Sequence, residues 1–106
     1  MVTVIATIRA KSGKEKETEL LLRGLLEPTH AESGCVKYTL NQRNDQPGTF
    51  YFVEAWKTIE ALQAHLSSSH LTRAMARKDE LLESVDIAQT APVMEGSSPK
   101  GTLWNL

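Results

Sequence analysis

Residues 50–70 read FYFVEAWKTIEALQAHLSSSH and hold both phenylalanines, one of the two tyrosines, one of the two tryptophans and two of the three histidines of a 106-residue chain. Read with a period of two, Phe50, Phe52, Glu54 and Trp56 fall on one face of a strand, and Tyr51, Val53 and Ala55 on the other. Glu54 interrupts an otherwise apolar run. A carboxylate taken out of water costs free energy unless it is paired or hydrogen-bonded. The face carrying an acid beside a tryptophan is therefore where chemistry is expected. Beyond the strand, Thr58 can cap a short helix with Glu60 in its first turn. Ile59, Leu62 and Leu66 form that helix's apolar stripe, His65 lies at its edge beside Ala61, and Ser67–Ser69 interrupts it.

Upstream, Val2–Ala10 (VTVIATIRA) is rich in β-branched residues and predicts a first strand. Ser12 and Glu15 have the spacing of a capping box, and Leu20, Leu21, Leu22, Leu25 and Leu26 predict a helix that Pro28 kinks or ends and Gly34 stops. Cys35–Arg43 alternates: Val36, Tyr38 and Leu40 are expected on one face, Lys37, Thr39 and Asn41 on the other. Asn44–Gly48 is a turn by composition, so two strands form a hairpin. A third helix is expected over 70–83, with Leu71, Ala74, Met75 and Leu82 inward, and a last strand over 85–93.

The order βαββαβ, with the second helix split, predicts a ferredoxin-like α+β fold with an antiparallel sheet. Residues 1–95 form the domain; residues 96–106 form a polar tail with an apolar tip at Trp104 and Leu106. Helices cover one face of such a sheet. The other, expected to carry the Phe, Trp, Thr, Asn and Glu side chains, needs a partner. Two sheets of a homodimer closing into a dimeric α+β barrel, each enclosing a pocket, would supply one.

Twelve basic residues against thirteen acidic ones, without a basic stripe, argue against nucleic-acid binding. No segment approaches the length of a membrane span. A single cysteine, Cys35, has no disulfide partner, which fits a reduced, cytoplasmic protein.

Within the pocket face, Trp56 can stack on a flat ligand or belong to the core. Glu54 can orient a donor or act as a base with a pKa raised by burial; its structural alternative is a pair with Arg9, Lys37 or Arg73. His65 and His70 are candidate general bases, brought together by the serine break; otherwise they are a half-buried helix residue and a helix start. Thr39 and Asn41 can offer hydrogen bonds to a ligand oxygen. Glu54, His65 and His70 have no recognised metal-binding spacing, so no metal site is expected. No phosphate-binding glycine loop, nucleophile elbow or dinucleotide fingerprint occurs, so no cofactor is expected either.

Three stretches together form a recognisable pattern: Gly34-Cys35-Val36-x-Tyr38-x-Leu40, then Phe52-Val53-Glu54-Ala55-Trp56-Lys57, then Ala61-Leu62-x-Ala64-His65-Leu66-x-Ser68-x-His70. The chain resembles the antibiotic biosynthesis monooxygenase family over residues 1–95. That resemblance implies a dimeric α+β barrel and oxidation of a small aromatic, quinol or polyketide-like substrate by molecular oxygen without flavin, haem or metal. It implies that Trp56 is the family's pocket tryptophan and that His65 and His70 are its two frequent histidines. Phe52 stands where the anthrone-oxidising branch has an asparagine, and Ala6 where the haem-degrading branch has one. A third branch isomerises a phosphorylated signalling sugar, for which Arg73 and Arg77 are the available cations. An isomerase of that kind and a non-catalytic, small-molecule-binding stress-response module are the alternatives to a monooxygenase.

Overall fold

The computed structural model describes residues 1–94 and Gly96. In chain order its elements are β1 Val2–Ala10, α1 Glu15–Arg23, α2 Leu26–His30, β2 Cys35–Gln42, β3 Thr49–Trp56, α3 Ile59–Leu66, α4 Ser69–Met75, α5 Lys78–Leu81 and β4 Leu82–Thr90. The strands form one antiparallel sheet in the order β2-β3-β1-β4. This is the ferredoxin-like α+β arrangement the sequence predicts. Trp104 and Leu106 lie outside the described residues.

Pairing register fixes which side chains share a face. Val4 and Tyr38 stand opposite Glu54, Ala6 and Leu40 opposite Phe52, and Ile8 opposite Phe50. These residues point at the helices, where Phe50, Phe52 and Trp56 pack with Leu22, Leu25, Leu62 and Leu81 in the core. The face bearing Phe, Glu and Trp is thus covered by the protein's own helix layer, not left for a partner as the sequence reading expects. Burying large aromatics against leucine-lined helices removes more apolar area from water than burying the threonines and lysine of the opposite face would. That opposite face carries Thr3, Ile5, Thr7, Lys37, Thr39, Asn41, Tyr51 and Val53.

Several local expectations shift. Ser12 does not cap α1: Gly13 takes φ +83° and Lys14 occupies the cap position, so the chain turns once more before the helix begins. Leu20 is exposed, whereas Leu22 and Leu25 are buried. Pro28 lies in the first turn of α2, where a missing N–H is least costly. A register shift between Cys35 and Lys37 leaves Val36 exposed, away from the face of Tyr38 and Leu40. The helical stretch after His70 is shorter than 70–83, because Leu82 already begins β4. Thr58 does cap α3, accepting from the Ala61 N–H at 3.1 Å.

Candidate active site

A partly open cavity of about 60 Å³ lies between the sheet and helices α1, α3 and α4. Its walls are apolar except at three side chains: Tyr38, Glu54 and His65. Phe52 and Leu25 are part of the wall, and exposed Leu66 and Ile87 mark its solvent side.

Glu54 is 5% exposed and makes no ion pair among the described residues. Its Oε1 accepts the indole N–H of Trp56 at 2.9 Å, so the two neighbours on the strand face satisfy one another. Burial pushes the carboxyl from 4.5 up to about 7; the indole bond works against that rise and the negative charge of Glu32 adds to it. Trp56 itself is fully buried and outside the cavity wall. Its ring lies 4.5 Å from that of His65, tilted by 30°. The tryptophan therefore holds the site from behind: it anchors the acid through its N–H and backs the histidine through its face.

His65 is 2% exposed. The edge-on ring of Tyr38, 5.3 Å away, packs against it from the sheet. Its Nδ1 lies 2.8 Å from Glu32 Oε2, and His70 Nε2 reaches the same oxygen at 2.8 Å. An ionised carboxylate only accepts, so it selects the Nδ1–H form of His65 and the Nε2–H form of His70. The free nitrogen of His65 is then Nε2, which makes no hydrogen bond among the described residues. Burial pushes the imidazole down from its ordinary 6.5; Glu32 opposes that shift and His70 reinforces it. His65 rests neutral. Burial also raises the Tyr38 hydroxyl and the Cys35 thiol, with Glu54 and Glu32 adding to both, so each stays protonated.

The break between α3 and α4 makes the histidine pair possible. Ser68 Oγ donates to the His65 carbonyl at 2.6 Å and accepts from the Leu71 N–H at 3.4 Å, ending one helix and capping the next. Glu32 comes from the loop before β2. Its position depends on Gly34, where an added Cβ would fall 2.3 Å from Ala61 Cβ. That close approach seats the loop on α3 one turn before His65.

Glu32, His65 and His70 each bring a donor atom within 4.8 Å of the other two. Both rings converge on one carboxylate oxygen at 2.8 Å, a hydrogen-bond distance. The triad is hydrogen-bonded. It contains Glu32 in the place where the sequence reading considers Glu54.

Of the residues singled out from sequence, Glu54, Phe52 and His65 line the cavity, while Trp56 and His70 stand behind it. Thr39 and Asn41 bond each other at 3.3 Å on the opposite face of the sheet. Arg73 is exposed on α4 and absent from the cavity wall. Glu32 and Tyr38 are functional candidates that the sequence alone does not single out. The signal for Glu32 is faint: an acid two residues before a glycine that must let a helix close in.

The family model for the antibiotic biosynthesis monooxygenases matches residues 1–77. A Mycobacterium tuberculosis protein, Rv0793, named as a candidate monooxygenase, is 32% identical over 98 residues, covering 92% of this chain and 96% of that protein. Its solved structure superposes with a TM-score of 0.82 over 91% of this chain and 98% of that one. The structure of PA3566 from Pseudomonas aeruginosa, 35% identical, gives a TM-score of 0.84 over 88% and 94% of the two chains. A protein of Synechocystis with no assigned character is 26% identical over 81 residues, and the chain spans 55% of its length. With the family pattern matched over most of its length, the chain belongs to the antibiotic biosynthesis monooxygenase family.

Proposed function

We propose that the protein is a cofactor-independent monooxygenase acting on a small aromatic with an ionisable ring position, with molecular oxygen as co-substrate. The observation that carries this reading is the apolar cavity holding a carboxyl at about 7 and a neutral imidazole with a free Nε2. A flat apolar ring suits the leucine, phenylalanine and methionine walls. Entry of a ring requires Leu66, Leu71 and Met75 to give way, and an unbranched thioether does so readily.

His65 Nε2 takes the first proton, from the phenol O–H or from the ring CH₂ of its keto tautomer. The resulting anion passes one electron to O₂, and the radical pair recombines into a carbon-bound peroxide. Glu54, protonated, supplies the proton that makes it a hydroperoxide. Loss of the second hydrogen with cleavage of the O–O bond leaves a carbonyl and water. One oxygen atom ends in the product and one in water, with no external reductant. The dry walls favour the delocalised anion, and Glu32 stabilises the imidazolium that forms.

Phosphate-dependent isomerisation has less support, because Arg73 and Arg77 are exposed and neither lines the cavity. The dimer also belongs to this proposal. Ile5, 44% exposed and flanked by Val53 and Ala88, gives the outer sheet face an apolar centre that a second copy would cover.

The test is oxygen uptake with hydroquinone, 1,4-naphthohydroquinone and anthrone, each under ¹⁸O₂ to follow one label into the product. Failure to consume oxygen above the uncatalysed rate with all three rejects the oxygenase. Thermal stabilisation by those rings without turnover would identify a binding module instead.

A further inference from the structure

We propose that Glu32 is a proton relay through the pocket wall, joining buried His65 to bulk solvent independently of the cavity mouth. It rests on the reading of His65 as the base.

The two sides of this wall differ sharply. On one side is the apolar cavity with His65 in its lining. On the other is an open groove lined by Glu32, Ser33, Gly34, Lys57, Thr58 and Ala61. Glu32 is the residue that borders the groove and also bonds His65. Its side chain is 18% exposed against 2% for His65, so the carboxylate meets water where the imidazole does not. Once a ring fills the cavity, water cannot reach His65 from the mouth. The remaining route is Nδ1–H to Glu32 Oε2, and from the carboxyl to water in the groove.

The step balances without a co-reactant. A proton arrives at Nε2, the Nδ1 proton crosses to Oε2, and Glu32 releases its proton to groove water. Run backwards, the same path restores the Nδ1–H form. His70 donates to the shared oxygen and holds it in place. The other titratable groups facing the imidazole are Tyr38 and Glu54 on the sheet, with Cys35 beside Glu32; Lys57 lines the groove. None of these has a hydrogen bond to His65 among the described residues.

Nitrogen-15 NMR of the histidine side chains tests this without turnover. The wild type should show His65 as the Nδ1–H tautomer, with ring-proton exchange that persists when a non-reactive phenol fills the cavity. Glu32→Gln can still accept the Nδ1–H bond but cannot carry a proton. It should lower the His65 pKa by at least one unit and slow exchange in the phenol complex at least tenfold. Glu32→Asp should recover part of both, and serves as the second variant if the glutamine form folds poorly. In Glu32→Ala, formate entering from the groove should restore exchange in proportion to its concentration. An Nε2–H tautomer in the wild type, or unchanged exchange and pKa in Glu32→Gln, overturns the relay. Absence of oxygen uptake with every quinol would remove the oxygenase and leave these NMR outcomes still decisive for Glu32.

Discussion

The two faces of β3 are built from alternating residues of one eight-residue strand, yet they have opposite characters. Phe50, Phe52, Glu54 and Trp56 are each at most 5% exposed beneath the helices, while Tyr51 and Val53 face outward with Ile5, Thr39 and Asn41. The buried face contains an acid held by an indole; the outer face contains polar side chains that bond one another. Inside, removal from water changes how a carboxyl and an imidazole hold protons. Outside, the same types of group would behave as they do in peptides. Where a residue falls in the pleat decides whether it can do acid–base work.

The largest expected contrast is in catalysis. His65→Ala should reduce oxygen consumption by about 10²–10⁴-fold, the usual scale for a lost general base. Asn41→Ala should leave it within about twofold; a comparable loss in both would break the contrast. Glu54→Gln tests the inner acid through stability as well as rate. The folded carboxyl titrates near 7 and the unfolded one near 4.5, so folding retains the proton over that interval. Stability from this source is full below about 4.5, declines as pH rises, and is gone above about 7. The whole shift corresponds to roughly 3 kcal/mol. Glu54→Gln, which preserves the acceptor for Trp56, should therefore melt above the wild type at pH 8.5 and lose that advantage at pH 4. Wild-type kcat/KM should fall as pH rises through about 7, and the residual rate of the variant should lack that descent.

Gly34→Ala comes next. The methyl group cannot coexist with Ala61 Cβ, so the loop or α3 must move, at a cost of about 1–3 kcal/mol in chemical denaturation. His65 should lose its tautomer preference in the same variant, because Glu32 moves with the loop. The smallest effect on folding should come from the outer face. Ile5→Lys should change monomer stability by about 0.5 kcal/mol or less. Its effect should be seen in sedimentation at micromolar concentration, where a wild-type dimer gives way to monomers. A monomeric wild type would remove the shared-barrel proposal and leave the inner pocket intact.

Much of the fold is legible because its signals are local. The alternation in β1, β2 and β3, the turn at Asn44–Gly48 and the Thr58 cap each lie within a few residues. Alternation separates the faces of β3 but cannot say which one the helices cover; that depends on leucines distant in sequence. Within the site, Glu54, Trp56, His65 and His70 are visible because they share one stretch. Their partnerships are less so. Trp56 reads as a stacking platform for ligand, whereas its N–H and its ring are both used by protein groups. Glu32 is 33 residues from His65, and the tight packing of Gly34 on Ala61 helps bring them together. Long-range contacts of that kind leave no periodic trace.

The serine break sets a ruler for reading other chains. On a continuous helix each residue turns the side chain by about 100°, so a separation of five points two histidines well apart. Here Ser68 resets the phase between α3 and α4, and both imidazoles reach one oxygen. Without that reset, the five-residue separation would leave roughly 140° between the two side chains and point His70 away from Glu32. A relative whose helix runs on without a break at that point can keep the fold and the cavity while losing the three-residue bridge. An unbroken helix there would mark a site whose buried base has one fewer hold on its carboxylate.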